Sequence, residues 1–171
     1  MQRKMKDNMA DKYSLASLIE RGGIYYKLPG ANPKELLAGL IGLLPPIPSL
    51  DHNGLLREIM EREALVSTGI GRGIAFPHPR NPPIPPSGES DPLVALAFSA
   101  QPIDWNTHDG SRVDSVFLIL SSSAKQHLGA LSKLTFLCRQ ENFLSLIKAQ
   151  APSEEIIMAI RNAEAAWDKT E

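Results

Sequence analysis

The chain has 171 residues, 43% of them hydrophobic and 22% charged, with a formal net charge of −1. That length fits one domain able to bury a core without disulfides, and the near-neutral charge offers no global field for nucleic acid or an anionic membrane. No apolar run approaches the ~18 residues that span a bilayer, the opening MQRKMKDNMADK lacks a signal-peptide core, and the single cysteine, Cys138, has no internal partner and permits a reducing cytoplasm.

Residues 1–12 are expected to be a flexible lead-in to a domain over 13–168. YSLASLIERG predicts a short helix ending at Gly22 and Gly23, and Ile24 to Leu28 predicts a strand. In ANPKELLAGLIGLLPP, Asn32 can cap a helix, Pro33 suits its first position, and Pro45 and Pro46 stop it. Leu36, Leu37, Leu40, Ile41, Leu43 and Leu44 would form its apolar face. A further helix starts near Asp51, striped by Leu55, Leu56, Ile59 and Met60, and EREA closes it. STGIGRG is expected as loop and Ile74 to Phe76 as a short strand.

Seven of the 14 prolines lie between Pro77 and Pro92, so PHPRNPPIPPSGESDP must be loop. LVALAF and VDSVFLIL are apolar runs of the kind that form strands buried on both faces. Between them Asp109 and Gly110 signal a tight turn. From Ala124 the pattern is helical, with Leu128, Leu131, Leu134 and Leu137 recurring near one face. ENFLSLIKAQA gives a second helix, and Pro152 and Ser153 open a third with acids in its first turn. Strands interleaved with helices predict a single three-layer α/β domain, a mixed sheet with helices on both faces.

His78 is the most constrained of four histidines. Pro79 confines it to extended backbone and Pro77 stiffens the entry, which suits either a pre-positioned reactive group or a rigid solvated turn. Gly69, Gly71 and Gly73 could expose backbone N–H groups to an anion. Their spacing is neither a dinucleotide fingerprint nor a Walker A loop, and an ordinary helix-to-strand turn serves equally well. His127 falls in the first turn of its helix, where a protonated ring is disfavoured and anions are favoured. Arg62 could clamp phosphate or complement a helix C-terminus. A metal site among His78, His108, His127, Asp104 and Asp109 lacks any familiar ligand spacing, and Cys138 sits in an apolar stripe as core.

LLREIMEREALVSTGIGRGIAFPHPR resembles the signature segment of the fructose/mannitol-type enzyme IIA domains of the phosphoenolpyruvate-dependent phosphotransferase system, the family that includes the nitrogen-regulatory IIA proteins. IDWNTHDGSRVDSVFLIL and HLGALSKLTFLCRQENFLSLIKA follow in the family's order, and the resemblance runs from about Tyr13 to Trp167. It implies a phosphoryl-accepting histidine at His78, a supporting histidine at His127 and a charge-stabilising arginine at Arg62. Loop N–H groups near Gly71 and Gly73 would assist. It also implies HPr as phosphoryl donor, a IIB domain or regulatory target as further partner, a cytoplasmic location, and no metal or organic cofactor. The chain departs from the family at Pro79 and in NPPIPPSGES, where relatives have a small residue and a short link; 79–92 therefore reads as an insertion. That departure motivates the alternative of a protein-binding or sensor domain that no longer accepts phosphate.

Overall fold

The computed structural model describes residues 13–85 and 90–168. The lead-in expected over 1–12 and part of the insertion, 86–89, lie outside those residues.

Each expected helix forms, and its signals do what their chemistry suggests. Helix α1 (Leu15–Gly22) starts where the Ser14 hydroxyl accepts the Ser17 N–H at 3.2 Å, and it ends on Gly23, whose φ of 89° suits glycine. Strand β1 is Ile24–Leu28. Helix α2 (Pro33–Leu43) has Asn32 accepting the Glu35 N–H at 2.9 Å, with proline in its first turn. Leu43 is exposed, a departure from the expected apolar face, because it falls at the stripe's edge in the last turn. Helix α3 (His52–Leu65) is capped by Asp51.

The segment expected as loop before Ile74 is partly strand. Gly69–Gly71 forms β2 and pairs antiparallel with β3 (Ile74–Ala75). Gly71, Arg72 and Gly73 all have positive φ, so the chain reverses within three residues. Strand β4 (Leu93–Ile103) outruns LVALAF because Ala100 to Pro102 are exposed and carry no hydrophobic signal. Strand β5 is Val113–Leu120, and helices α4 (Ala124–Cys138), α5 (Glu141–Lys148) and α6 (Ser153–Trp167) complete the chain.

The five strands form one mixed sheet ordered β1-β4-β5-β3-β2. The β1–β4 and β3–β5 pairs are parallel; β4–β5 and β2–β3 are antiparallel. Alternation along the central strands separates two cores. Val94, Leu96 and Phe98 of β4, with Phe117 and Ile119 of β5, face α1, α4, α5 and α6. Leu93, Ala95 and Ala97, with Val116, Leu118 and Leu120, face α2 and α3. Helices therefore cover both faces, as expected. A Cβ on Gly22 would stand 2.1 Å from the Val94 carbonyl oxygen, so only glycine lets α1 lie this close to β4. Glu164 of α6, buried, accepts the Leu15 and Ala16 N–H groups at 2.6 and 3.2 Å and the Lys133 ammonium at 2.9 Å, tying the start of α1 to two other helices.

Leu134, Leu137 and Cys138 are buried on α4, and burial pushes the Cys138 thiol up to about 12. Leu128 is exposed. Leucines three apart drift by about 60° per step around a helix of 3.6 residues per turn, so Leu128 and Leu137 end on opposite faces. No helix among the described residues is long and apolar enough to cross a membrane.

Candidate functional site

Strand β3 runs into Phe76, Pro77 and His78. The Phe76 N–H donates to the Thr68 carbonyl at 3.0 Å, and the Pro77 carbonyl accepts the Ile119 N–H of β5 at 3.1 Å. Both prolines flanking His78 are buried, while the imidazole between them is half-buried. His78 is thereby fixed beside the exit of β5, the strand parallel to its own. The carboxyl ends of parallel strands are where open α/β sheets place ligands.

After β5 the chain turns through Ser121 to Ser123 into α4. The Ser123 hydroxyl accepts the Gln126 N–H at 3.2 Å, and Gln126 Oε1 reaches back to the Ser122 N–H and hydroxyl, each at 2.9 Å. This reciprocal cap fixes the first turn, which carries His127. The His78 and His127 ring centroids stand 4.5 Å apart, tilted by 51°.

His78 Nδ1 lies 2.8 Å from the Phe76 carbonyl oxygen. A carbonyl only accepts, so Nδ1 carries the proton and Nε2 keeps a free lone pair. Burial lowers the pKa of His78 and the Arg62 charge adds to that, against the opposing effects of the Phe76 hydrogen bond and Glu63. Burial likewise lowers the pKa of His127, followed by the charges of His78 and Arg62. Both rings are therefore neutral at pH 7.

Arg62 lies in the last turn of α3, where its Nη1 donates to the Val66 carbonyl at 2.9 Å. It caps the end of that helix and also lines the cleft. Beside it, Glu63 grips Thr68 twice, accepting the N–H at 2.7 Å and the hydroxyl at 2.5 Å. A chain of hydrogen bonds thus runs from Glu63 through Thr68 and Phe76 to the His78 ring.

The cleft holds about 460 Å³. Arg62, His78 and His127 border it together, with Leu65 and Leu128 as apolar rim. The proline-rich segment Pro79 to Pro83 forms another wall. Gly71 and Gly73 are not brought there. Their positive φ serves the β2–β3 reversal, and nearby amides are already engaged: the Arg72 N–H donates to Asp109 at 3.0 Å and the Gly73 N–H to Ser111 at 3.4 Å. Asp109 is occupied in that turn, where hydrogen bonds from Ser111 and Arg72 hold its carboxyl well below the usual range. His52 and His108 are exposed and do not line the cleft. Sequence reasoning missed Glu63 and Thr68, which differ from surface residues only in what the fold places beside them. It also left the rim unassigned, because it grouped Leu128 with Leu134 and Leu137, which prove buried.

The model of the family described as "Phosphoenolpyruvate-dependent sugar phosphotransferase system, EIIA 2" matches residues 22–163. A nitrogen regulatory protein of Pseudomonas aeruginosa is 26% identical over 156 residues, covering 88% of this chain and 98% of that relative. The fructose-specific EIIABC component of Bacillus subtilis is 29% identical over 152 residues, 86% of this chain but 23% of that longer protein. Among solved structures, nitrogen regulatory protein IIA-Ntr from Neisseria meningitidis superposes with a TM-score of 0.73 at 25% identity, covering 85% of this chain and 97% of that one. A complex of enzyme IIA-mannitol with phosphorylated IIB-mannitol from Escherichia coli shares the fold, with a TM-score of 0.62 at 14% identity over 82% of this chain and 95% of that one. With its family model matched from α1 into α6, the chain belongs to the type 2 enzyme IIA family of the phosphoenolpyruvate-dependent sugar phosphotransferase system.

Proposed function

We propose that this chain is a cytoplasmic phosphohistidine carrier with a regulatory role, and that His78 accepts the phosphoryl group from HPr. The observation that carries this is the free Nε2 lone pair of a neutral His78, held in an open cleft beside His127 and Arg62. Nε2 attacks phosphorus in line, the N–P bond of the donor phosphohistidine breaks, and its electron pair returns to the donor ring. The proton stays on His78 Nδ1, donated in a hydrogen bond to the Phe76 carbonyl, so no base is required. Transfer of this kind depends on alignment and on stabilising charge spread over three oxygens. Arg62 supplies positive charge, and neutral His127 supplies a ring N–H. The regulatory role is supported by likeness to nitrogen regulatory proteins along nearly their whole length. The exposed rim of Leu65 and Leu128 suits docking of HPr, a IIB domain or a regulatory target.

Incubation with phosphoenolpyruvate, enzyme I and HPr, followed by intact-mass measurement, tests this. Wild type should gain one phosphoryl group and His78→Ala none. An unlabelled wild type beside active partners would reject the carrier and leave the alternative, a domain that binds proteins without accepting phosphate.

A further inference from the structure

The inserted segment leaves His78 as a short arch pinned at both ends to the exit of β5. At one end the Pro77 carbonyl accepts the Ile119 N–H at 3.1 Å; at the other the Ile84 N–H donates to the Ser121 carbonyl at 3.2 Å. Ile84 is 1% exposed and packs into the core under α2 and α3. Within this arch Pro79 is buried, while Arg80 is exposed and lines the same cleft as His78. The proline confines His78 to extended backbone, and residues two apart in an extended chain project to one side.

We propose that Arg80 is a second phosphoryl-binding cation of this site, contributed by the insertion. This rests on the phosphohistidine reading of His78. A transferring phosphoryl group spreads its negative charge over three oxygens. Of the groups already at the cleft, His127 offers one neutral N–H, and Arg62 has one Nη1–H committed to the Val66 carbonyl. The demand for donors and positive charge therefore exceeds what those two supply. No carboxylate lines the cleft among the described residues, so nothing there competes for a guanidinium. Arg80 makes no hydrogen bond or ion pair among the described residues, which leaves its five N–H donors free to close on the oxygens. The anchored arch holds the backbone, so only the side chain must order.

Potassium phosphoramidate, a small donor with no docking surface, separates this role from partner recognition. His78 Nε2 attacks its phosphorus, the P–N bond breaks, and ammonia leaves with the electron pair. Labelling of wild type, Arg80→Gln and Arg80→Lys is followed by intact mass, with phosphorus NMR of the labelled proteins. Arg80→Gln should accept about tenfold more slowly, the worth of one charge-assisted contact, and shift the phosphorus resonance; Arg80→Lys should recover part of the rate. Equal rates and resonances in wild type and Arg80→Gln would overturn the proposal, as would a defect seen only with HPr. If His78 of wild type accepts from neither phosphoramidate nor HPr, the carrier reading itself falls, an outcome distinct from a labelled wild type that is indifferent to Arg80.

Discussion

The Nδ1 nitrogen of His78 and the carbonyl oxygen of Phe76 stand 2.8 Å apart, so the strand that presents the ring also selects its tautomer. Phosphorylated protein should carry its N–P bond on Nε2. Nitrogen–phosphorus coupling in NMR of labelled protein reads the attachment directly, and a bond on Nδ1 would contradict the orientation. His78→Gln should retain its urea-unfolding midpoint and accept no phosphoryl group.

The lowered pKa values of the two histidines set an acid limit on activity. Acceptance requires neutral His78, so it should persist below the ordinary value of 6.5 and fall as pH drops through the depressed folded value. Stability follows the same sign. Below 6.5 the unfolded chain binds protons on His78 and His127 that the folded chain resists, so stability is full above 6.5 and declines as pH falls through the folded values. Burial is the larger cause for both rings, and Arg62 contributes to each. Arg62→Gln should therefore raise both midpoints, as measured by NMR titration of the ring protons.

The grip of Glu63 on Thr68 is the far end of the chain of hydrogen bonds that reaches His78. Thr68→Val keeps the shape and removes the 2.5 Å hydroxyl contact, leaving one carboxylate oxygen without that donor. Glu63 is partly solvated, which limits the loss to about 1 kcal/mol. Urea unfolding should show that decrease in both the wild-type and His78→Gln backgrounds, because the grip acts on the backbone and not on the phosphoryl group. A several-fold slower acceptance should accompany it where His78 is present.

Ile84 makes the start of the proline-rich segment after His78 part of the fold. Its side chain is 1% exposed against the core under α2 and α3. Ile84→Ala should cost about 2–5 kcal/mol, the range for truncating a well-packed aliphatic residue, measured by urea unfolding. A surface loop merely draped over the domain would lose only a few tenths of a kcal/mol.

The first three helices have local caps: Ser14, Asn32 and Asp51 each accept an N–H two or three residues ahead. The central strands were legible because burial on both faces leaves continuous apolar runs. Strand β2 was not, since Gly69 and Gly71 have no strand propensity and pair only because the positive-φ turn at Arg72 and Gly73 folds them onto β3. At the site, flanking prolines marked His78, and a helix start marked His127. What brings the two rings within 4.5 Å is the parallel pairing of β3 with β5, a relation between strands that no local pattern encodes. The same holds for Ile84, which reads as one apolar residue among prolines until the exit of β5 is placed beneath it.

Leu65 and Leu128 flank the cleft with side chains 63% and 61% exposed. Neither supports the core, so Leu65→Asp and Leu128→Asp should each change stability by no more than about 0.5 kcal/mol. Apolar residues ringing a polar centre are what a partner's interface core buries. With HPr as donor, each substitution should raise the apparent KM for HPr about tenfold, the scale of a moderate hot spot, while the rate at saturating donor changes little. A loss confined to that saturating rate would place the leucines in the chemistry instead. Phosphorylation kinetics over a range of HPr concentrations separate the two, because docking energy acts before the phosphoryl group begins to move.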